Sequence, residues 1–187
     1  KLRGAYYTPL SLAEKIAEYF KDDTSIKTVL EPSCGDGVFF DALINQKIIT
    51  LLQNLTGIEI EKDETEKLSV KLSAYPNIQI QNADFFDFYQ QNADKKRYDL
   101  ILGNPPYIRY QYLSESQRGE MSEILTSHKM KSNKLINTWV AFVVACVHLL
   151  SENGKIAFVI PAEILQVAYA EDLRIYLSKN LSNITLL

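Results

Sequence analysis

Five short runs built around aliphatic residues recur along the chain, KTVLEP, LTGIEI, NIQIQN, YDLILGN and KIAFVI, and helical patterns separate most of them. Runs of this length bounded by turn residues read as buried strands. Strands that alternate with helices pack as a parallel sheet, because each crossover helix covers a face as it carries the chain back. The helical segments are PLSLAEKIAEYF from Pro9, with Thr8 as N-cap and Pro9 at the first helical position, then stretches near Val38–Gln46 and Lys62–Ala74. A polar helix near Ser114–Thr126, an apolar one over Leu135–Leu150 and a stretch near Tyr169–Ser178 follow. A Phe-rich DFFDFY leads into the fourth strand, and NITLL at 183–187 reads as a further strand just starting. The expected fold is α/β, a doubly wound and mostly parallel sheet.

A length of 187 residues with 47% hydrophobic content suits one globular domain. The apolar run Leu135–Leu150 is short for a bilayer and holds Asn137, Thr138 and His148, so no membrane is expected. Two cysteines, Cys34 and Cys146, make no disulfide framework, and no signal peptide opens the chain, so the expected location is cytoplasmic. His128 and His148 have no companions at ligand spacing, and no metal is expected. Net charge is −3, yet five basic residues against three acidic ones lie between Ile108 and Asn137. Such a local excess fits either a solvated helix face or a nucleic-acid contact.

In doubly wound sheets ligands bind at the carboxyl ends of strands, where the strand order reverses. LEPSCGDG puts Gly35 and Gly37 in the turn after the first strand, where missing side chains let the backbone approach a ligand. Glu31 closes that strand and could anchor the loop or a cationic group. Glu59 closes the second strand, 22 residues after Gly37, placed to accept from the hydroxyls of a ribose. Asp84 and Phe85 close the third, a carboxylate for an adenine amino group beside a ring for its face. A dinucleotide would want a third glycine where Phe40 stands, and Asp36 in the loop opposes a pyrophosphate. An adenosine cofactor with a zwitterionic tail fits better, and S-adenosyl-L-methionine is such a molecule.

The fourth strand ends as DLILGNPPY, Asp99 to Tyr107. Two prolines stop any strand and bias Asn104 toward an extended backbone, so a simple turn is one reading. The other is a rigid display of an amide, a carbonyl and a ring.

Together these segments resemble the amino-methyltransferases of DNA, in particular the N6-adenine enzymes of bacterial restriction-modification systems. GAYYTP resembles the motif that contacts the methionine end of the cofactor, which assigns Tyr7 and Thr8 to it. EPSCGDG resembles the glycine motif, with Glu31, Pro32, Cys34, Gly35 and Gly37. GIEI, with Glu59 and Ile60, resembles the ribose motif, and NADFF, with Asp84 and Phe85, the adenine motif. NPPY, Asn104-Pro105-Pro106-Tyr107, resembles the catalytic motif, with Asn104 also beside the cofactor; NTWVAF and GKIAFVIP match later segments, and the first lends Phe142 to the adenine pocket.

The resemblance implies a Rossmann-like class I methyltransferase fold, S-adenosyl-L-methionine as cofactor and double-stranded DNA as partner. It also implies a catalytic domain over residues 1–187 cut from a longer protein, with a target-recognition domain past Leu187 and a restriction endonuclease as a separate or fused partner. An exocyclic adenine amine is a poor nucleophile, its lone pair delocalised into the ring. With Asn104 Oδ1 and the Pro105 carbonyl each accepting one N6 hydrogen, and Tyr107 stacking on an extruded base, the lone pair is aimed at the methyl. The same NPPY chemistry would serve a protein glutamine amide or guanine N2 of ribosomal RNA, and a module that binds cofactor or DNA without turnover is a further alternative.

Overall fold

The structure is a computed structural model and describes residues 7–108, 110–131, 138–160 and 170–186. Five strands, β1 (Thr28–Glu31), β2 (Asn54–Glu59), β3 (Ile78–Asn82), β4 (Tyr98–Gly103) and β5 (Leu150–Phe158), form one sheet in the order β3-β2-β1-β4-β5. Every pairing is parallel. The chain winds outward from β1 to β3 and then crosses back to β4 on the other side of β1. The order therefore reverses between β1 and β4, which places the ends of EPSCG and GNPPY side by side.

Strand periodicity of two sends neighbouring side chains to opposite faces. Val29, Leu55, Leu100 and Leu102 join a core with the helices α1 (Leu10–Glu18), α2 (Val38–Asn45) and α3 (Lys62–Lys71). Leu30, Ile58 and Ile101 join the opposite core with α4 (Phe85–Asn92), α5 (Glu115–Ser127), α6 (Thr138–His148) and α7 (Glu171–Asn180). Helix α6 is apolar all round because it is enclosed: Thr138 to Val147 are all buried. At the amino ends of the strands Asp99 acts as a clamp. Its Oδ2 accepts from the Lys27 and Thr28 N–H groups and Thr28 Oγ1, and its Oδ1 accepts from Ser151 Oγ, at 2.9–3.0 Å.

The polar helix begins where expected, with a reciprocal capping box between Ser114 and Gln117. Four local expectations need correction. Thr8 is not the cap of α1; the cap position is Pro9, whose carbonyl receives the Leu12 and Ala13 N–H groups, and the Thr8 hydroxyl is used elsewhere. DFFDFY is not a lead-in but the start of α4, nucleated by Asp84 Oδ1 accepting from the Phe86 N–H at 2.8 Å. Strand β5 begins at Leu150, ahead of the KIAFVI run, and adjusts its register between Tyr98 and Leu100. Residues 183–186 form no strand, and Ile184 and Leu186 lie exposed. The expected helical residues 135–137 and 169 lie outside the described residues, as do Lys1–Tyr6 of the first motif.

Candidate active site

The loop after β1 is folded by its own backbone. The Cys34 N–H donates to Ile58 O at 2.9 Å and the Gly37 N–H to Cys34 O at 2.8 Å, which ties the turn to β2. Gly37 caps α2 at φ 81°, and a Cβ there would run into Leu68 Cδ2. Gly57 is needed for close approach, because a Cβ would stand 2.6 Å from Phe40 Cζ and 3.1 Å from Cys34 Sγ. Loop and strand can touch only because β2 is bare at this point.

Glu59, at the end of β2, fixes that loop from the other side. Its Oε2 accepts from the Gly35 N–H and its Oε1 from the Glu61 N–H, both at 2.8 Å. The Asn82 side chain donates to Glu59 O and Ile60 O and holds the strand end in place. Burial pushes the Glu59 carboxyl above its ordinary value, against the backbone N–H groups that favour its charge. Glu31 is 2% exposed, and its Oε2 has no hydrogen-bond partner. Burial, with Asp36, Asp41 and Glu59 nearby, raises it well above the ordinary carboxyl range. Burial also raises the Cys34 thiol and keeps it protonated, so it is no nucleophile.

The segment after β4 is pinned along its length. Ser33 Oγ donates to Asn104 O at 3.1 Å, and Asn104 Nδ2 donates to Thr8 Oγ1 at 3.2 Å. Tyr107 OH donates to Val159 O at 2.8 Å, and the Thr138 N–H and Oγ1 both donate to Ile108 O. The strap is thereby tied to the β1 loop, the end of β5 and the start of α6. Its prolines limit what backbone motion is left.

A cavity of about 570 Å³ lies along these strand ends. Glu31, Pro32, Cys34 and Gly35 line it from β1, Glu59 and Ile60 from β2, and Asp84 and Phe85 from the end of β3. Asn104, Pro105 and Pro106 close it on the β4 side, with Tyr7, Thr8 and Phe142 completing the expected set. Phe85 and Phe142 meet with ring centroids 4.4 Å apart. Two expected residues are not in the wall. Gly37 packs against Leu68, and Tyr107 is anchored through its hydroxyl among core side chains.

Ser33, Thr138 and Gln117 also line the cavity and were not singled out from sequence. Ser33 lies inside EPSCGDG and Thr138 inside NTWVAF, so the motifs held the signal, but a long-range bond to a carbonyl leaves no mark on spacing. Among the described residues the wall carries six carboxylates, Glu31, Asp36, Glu59, Glu61, Glu64 and Asp84, and no Lys, Arg or His. A phosphate-bearing ligand would meet repulsion there, whereas a ligand with a cationic group would be favoured.

The family of the Eco57I restriction-modification methylase matches residues 10–187. The chain is 31% identical over 175 residues to the type II methyltransferase M.AccI of Acinetobacter calcoaceticus, covering 94% of this chain and 31% of that protein. It thus spans about a third of that relative's length. A type I restriction-modification methyltransferase subunit from Streptococcus thermophilus superposes with a TM-score of 0.75 at 20% identity, over 96% of this chain and 39% of that one. A Listeria monocytogenes protein described as a class I S-adenosylmethionine-dependent methyltransferase superposes with a TM-score of 0.73 at 14% identity, over 92% of this chain and 51% of that one. The fold is therefore the Rossmann-like class I methyltransferase fold. With nearly its whole length matched, the chain belongs to the Eco57I restriction-modification methylase family.

Proposed function

We propose that the chain is the catalytic domain of a DNA methyltransferase that moves a methyl group from S-adenosyl-L-methionine to N6 of an adenine extruded from double-stranded DNA. The observation that carries this is the placing of Asn104 and Pro105 in the wall of the same cavity as Glu31, Glu59 and Asp84, where the strand order reverses.

The residues fit the cofactor by an independent test. A buried carboxylate oxygen without a partner, in a wall of acids, suits an ammonium or sulfonium group. Glu31 would hold the amino-acid end, Glu59 the ribose, and Asp84 with Phe85 and Phe142 the adenine. When bound, the cofactor supplies an electrophilic methyl group on a sulfonium.

The chain's own part is to prepare the amine. Asn104 Oδ1 and the Pro105 carbonyl each accept one hydrogen of N6, which loosens its lone pair from the ring. Because the strap is tied at Ser33, Thr138 and Val159, these acceptors need no reordering as charge develops. Tyr107 stands outside the cofactor cavity, only partly buried and with its hydroxyl held by Val159; its remaining ring face is the one it would lend an extruded base beside the cavity, and stacking of this kind contributes about 1–3 kcal/mol.

Incubation with labelled cofactor and separate DNA, RNA and protein acceptors, followed by nucleoside analysis, tests the assignment. Label in DNA as N6-methyladenine is expected; label in protein or RNA alone would refute it.

A further inference from the structure

We propose that Thr8 is a positioning residue for Asn104, setting which edge of the amide faces the acceptor amine; this rests on the methyl-transfer function proposed above. A primary amide is planar with two unlike edges, a nitrogen that only donates and an oxygen that only accepts. An amine that must give up hydrogens to its partner needs the oxygen edge. The amide turned over would set N–H against N–H and contribute nothing to the transition state.

The backbone around Asn104 is held in place. Its carbonyl is held by Ser33 Oγ at 3.1 Å, and the strap beyond it by Val159 and Thr138. The side-chain amide has its own tie, its nitrogen edge donating to Thr8 Oγ1 at 3.2 Å.

Thr8 is built as a fixed post. It is 8% exposed, and it precedes Pro9, which confines its backbone to extended conformations. The Pro9 carbonyl caps α1, which is docked through the buried Ala13, Ile16 and Ala17. A bond between positions 96 apart in sequence thus carries the rigidity of the first helix to the amide. Residues locked by packing and a second layer of hydrogen bonds are what hold a reacting group in productive geometry.

A residue that only grips the cofactor and one that orients Asn104 separate kinetically. In the intact protein Thr8→Val removes the hydroxyl at nearly constant shape, and Thr8→Ser keeps it. Thr8→Val is expected to lower kcat about ten- to a hundredfold while the cofactor Kd moves by less than about threefold, with Thr8→Ser restoring most of the rate. In an Asn104→Ala background, Thr8→Val is expected to cost nothing further. Weaker cofactor binding at unchanged kcat, or full additivity with Asn104→Ala, would overturn the proposal.

If the wild-type protein labels RNA or protein in place of DNA, the DNA assignment fails, and the same variants on that acceptor still decide the role of Thr8. If it labels no acceptor, hydrogen exchange of the Asn104 side-chain amide decides: faster exchange in Thr8→Val than in wild type and Thr8→Ser supports the bond, and equal exchange in all three refutes it.

Discussion

The Gly35 N–H donates to Glu59 Oε2 at 2.8 Å, joining the glycine loop after β1 to the carboxyl end of β2. One carboxylate therefore shapes the loop and stands in the cavity wall. Glu59→Gln would set an amide NH₂ against one of the two backbone N–H groups it now accepts. Leaving such a donor unmet costs about 1–3 kcal/mol. The expected outcome is a lower thermal midpoint, about 2–4 °C per kcal/mol for a chain of this size, together with cofactor affinity reduced about tenfold or more in calorimetry. Full affinity would mean that Glu59 serves the loop alone.

Glu31 predicts the reverse balance. Its pKa is raised in the folded protein, so its contribution to stability is complete below the ordinary 4.5 and is lost as pH rises through the folded value. With the cationic group of the proposed cofactor beside it, the ionised form is favoured, so cofactor affinity is expected to fall as pH falls, and binding to release a proton where the free protein still holds one. Glu31→Gln is expected to leave the cofactor-free protein at least as stable near pH 8, yet to weaken binding and abolish the proton release. Calorimetry in buffers of different ionisation enthalpy measures that release directly.

At the far ends of the strands Asp99 has the opposite sign. Burial raises its pKa, but hydrogen bonds from Lys27, Thr28 and Ser151 outweigh that, and the net shift is downward. Its stabilisation is present above the ordinary 3.8 and is lost as pH falls through the lower folded value. Asp99→Ala leaves backbone donors of β1 unmet and should lower unfolding free energy by about 2 kcal/mol in denaturant titration. It should also flatten the acid limb of the stability profile.

Gly57→Ala tests the close approach of loop and strand. The added methyl would press on Phe40, Ile80 and Cys34, and overpacking of this kind costs about 1–3 kcal/mol. Thermal unfolding should show that loss, and cofactor binding should weaken with it, because Cys34 sits in the cavity wall.

The sheet was legible because its strands are short apolar runs whose alternate residues, such as Val29 and Leu30, feed two separate cores. Strand-end residues such as Glu59 and Asn104 were legible for a related reason: polar groups closing buried strands stand where the chain leaves the core. Asp84 was read as a ligand contact, and the structure shows it as a helix cap in the cavity wall, because a carboxylate before aromatic residues suits either use. Thr8 was assigned a cap because Thr-Pro before a helical pattern favours it, yet a partner 96 positions away took the hydroxyl. The Ser33 bond to Asn104 O and the tie of Tyr107 to Val159 leave no local pattern. They arise from the crossover that lays β4 beside β1.

The role of Asn104 is tested most directly by single-turnover methyl transfer with Asn104→Ala in the intact protein at saturating cofactor, with cofactor Kd measured in parallel. Loss of one preorganised polar contact to developing charge costs about a hundred- to a thousandfold in rate. That loss is expected here, with Kd within about threefold of wild type. An equal loss in rate and affinity, or a rate near wild type, would contradict the assignment of Asn104 as the group that prepares the amine.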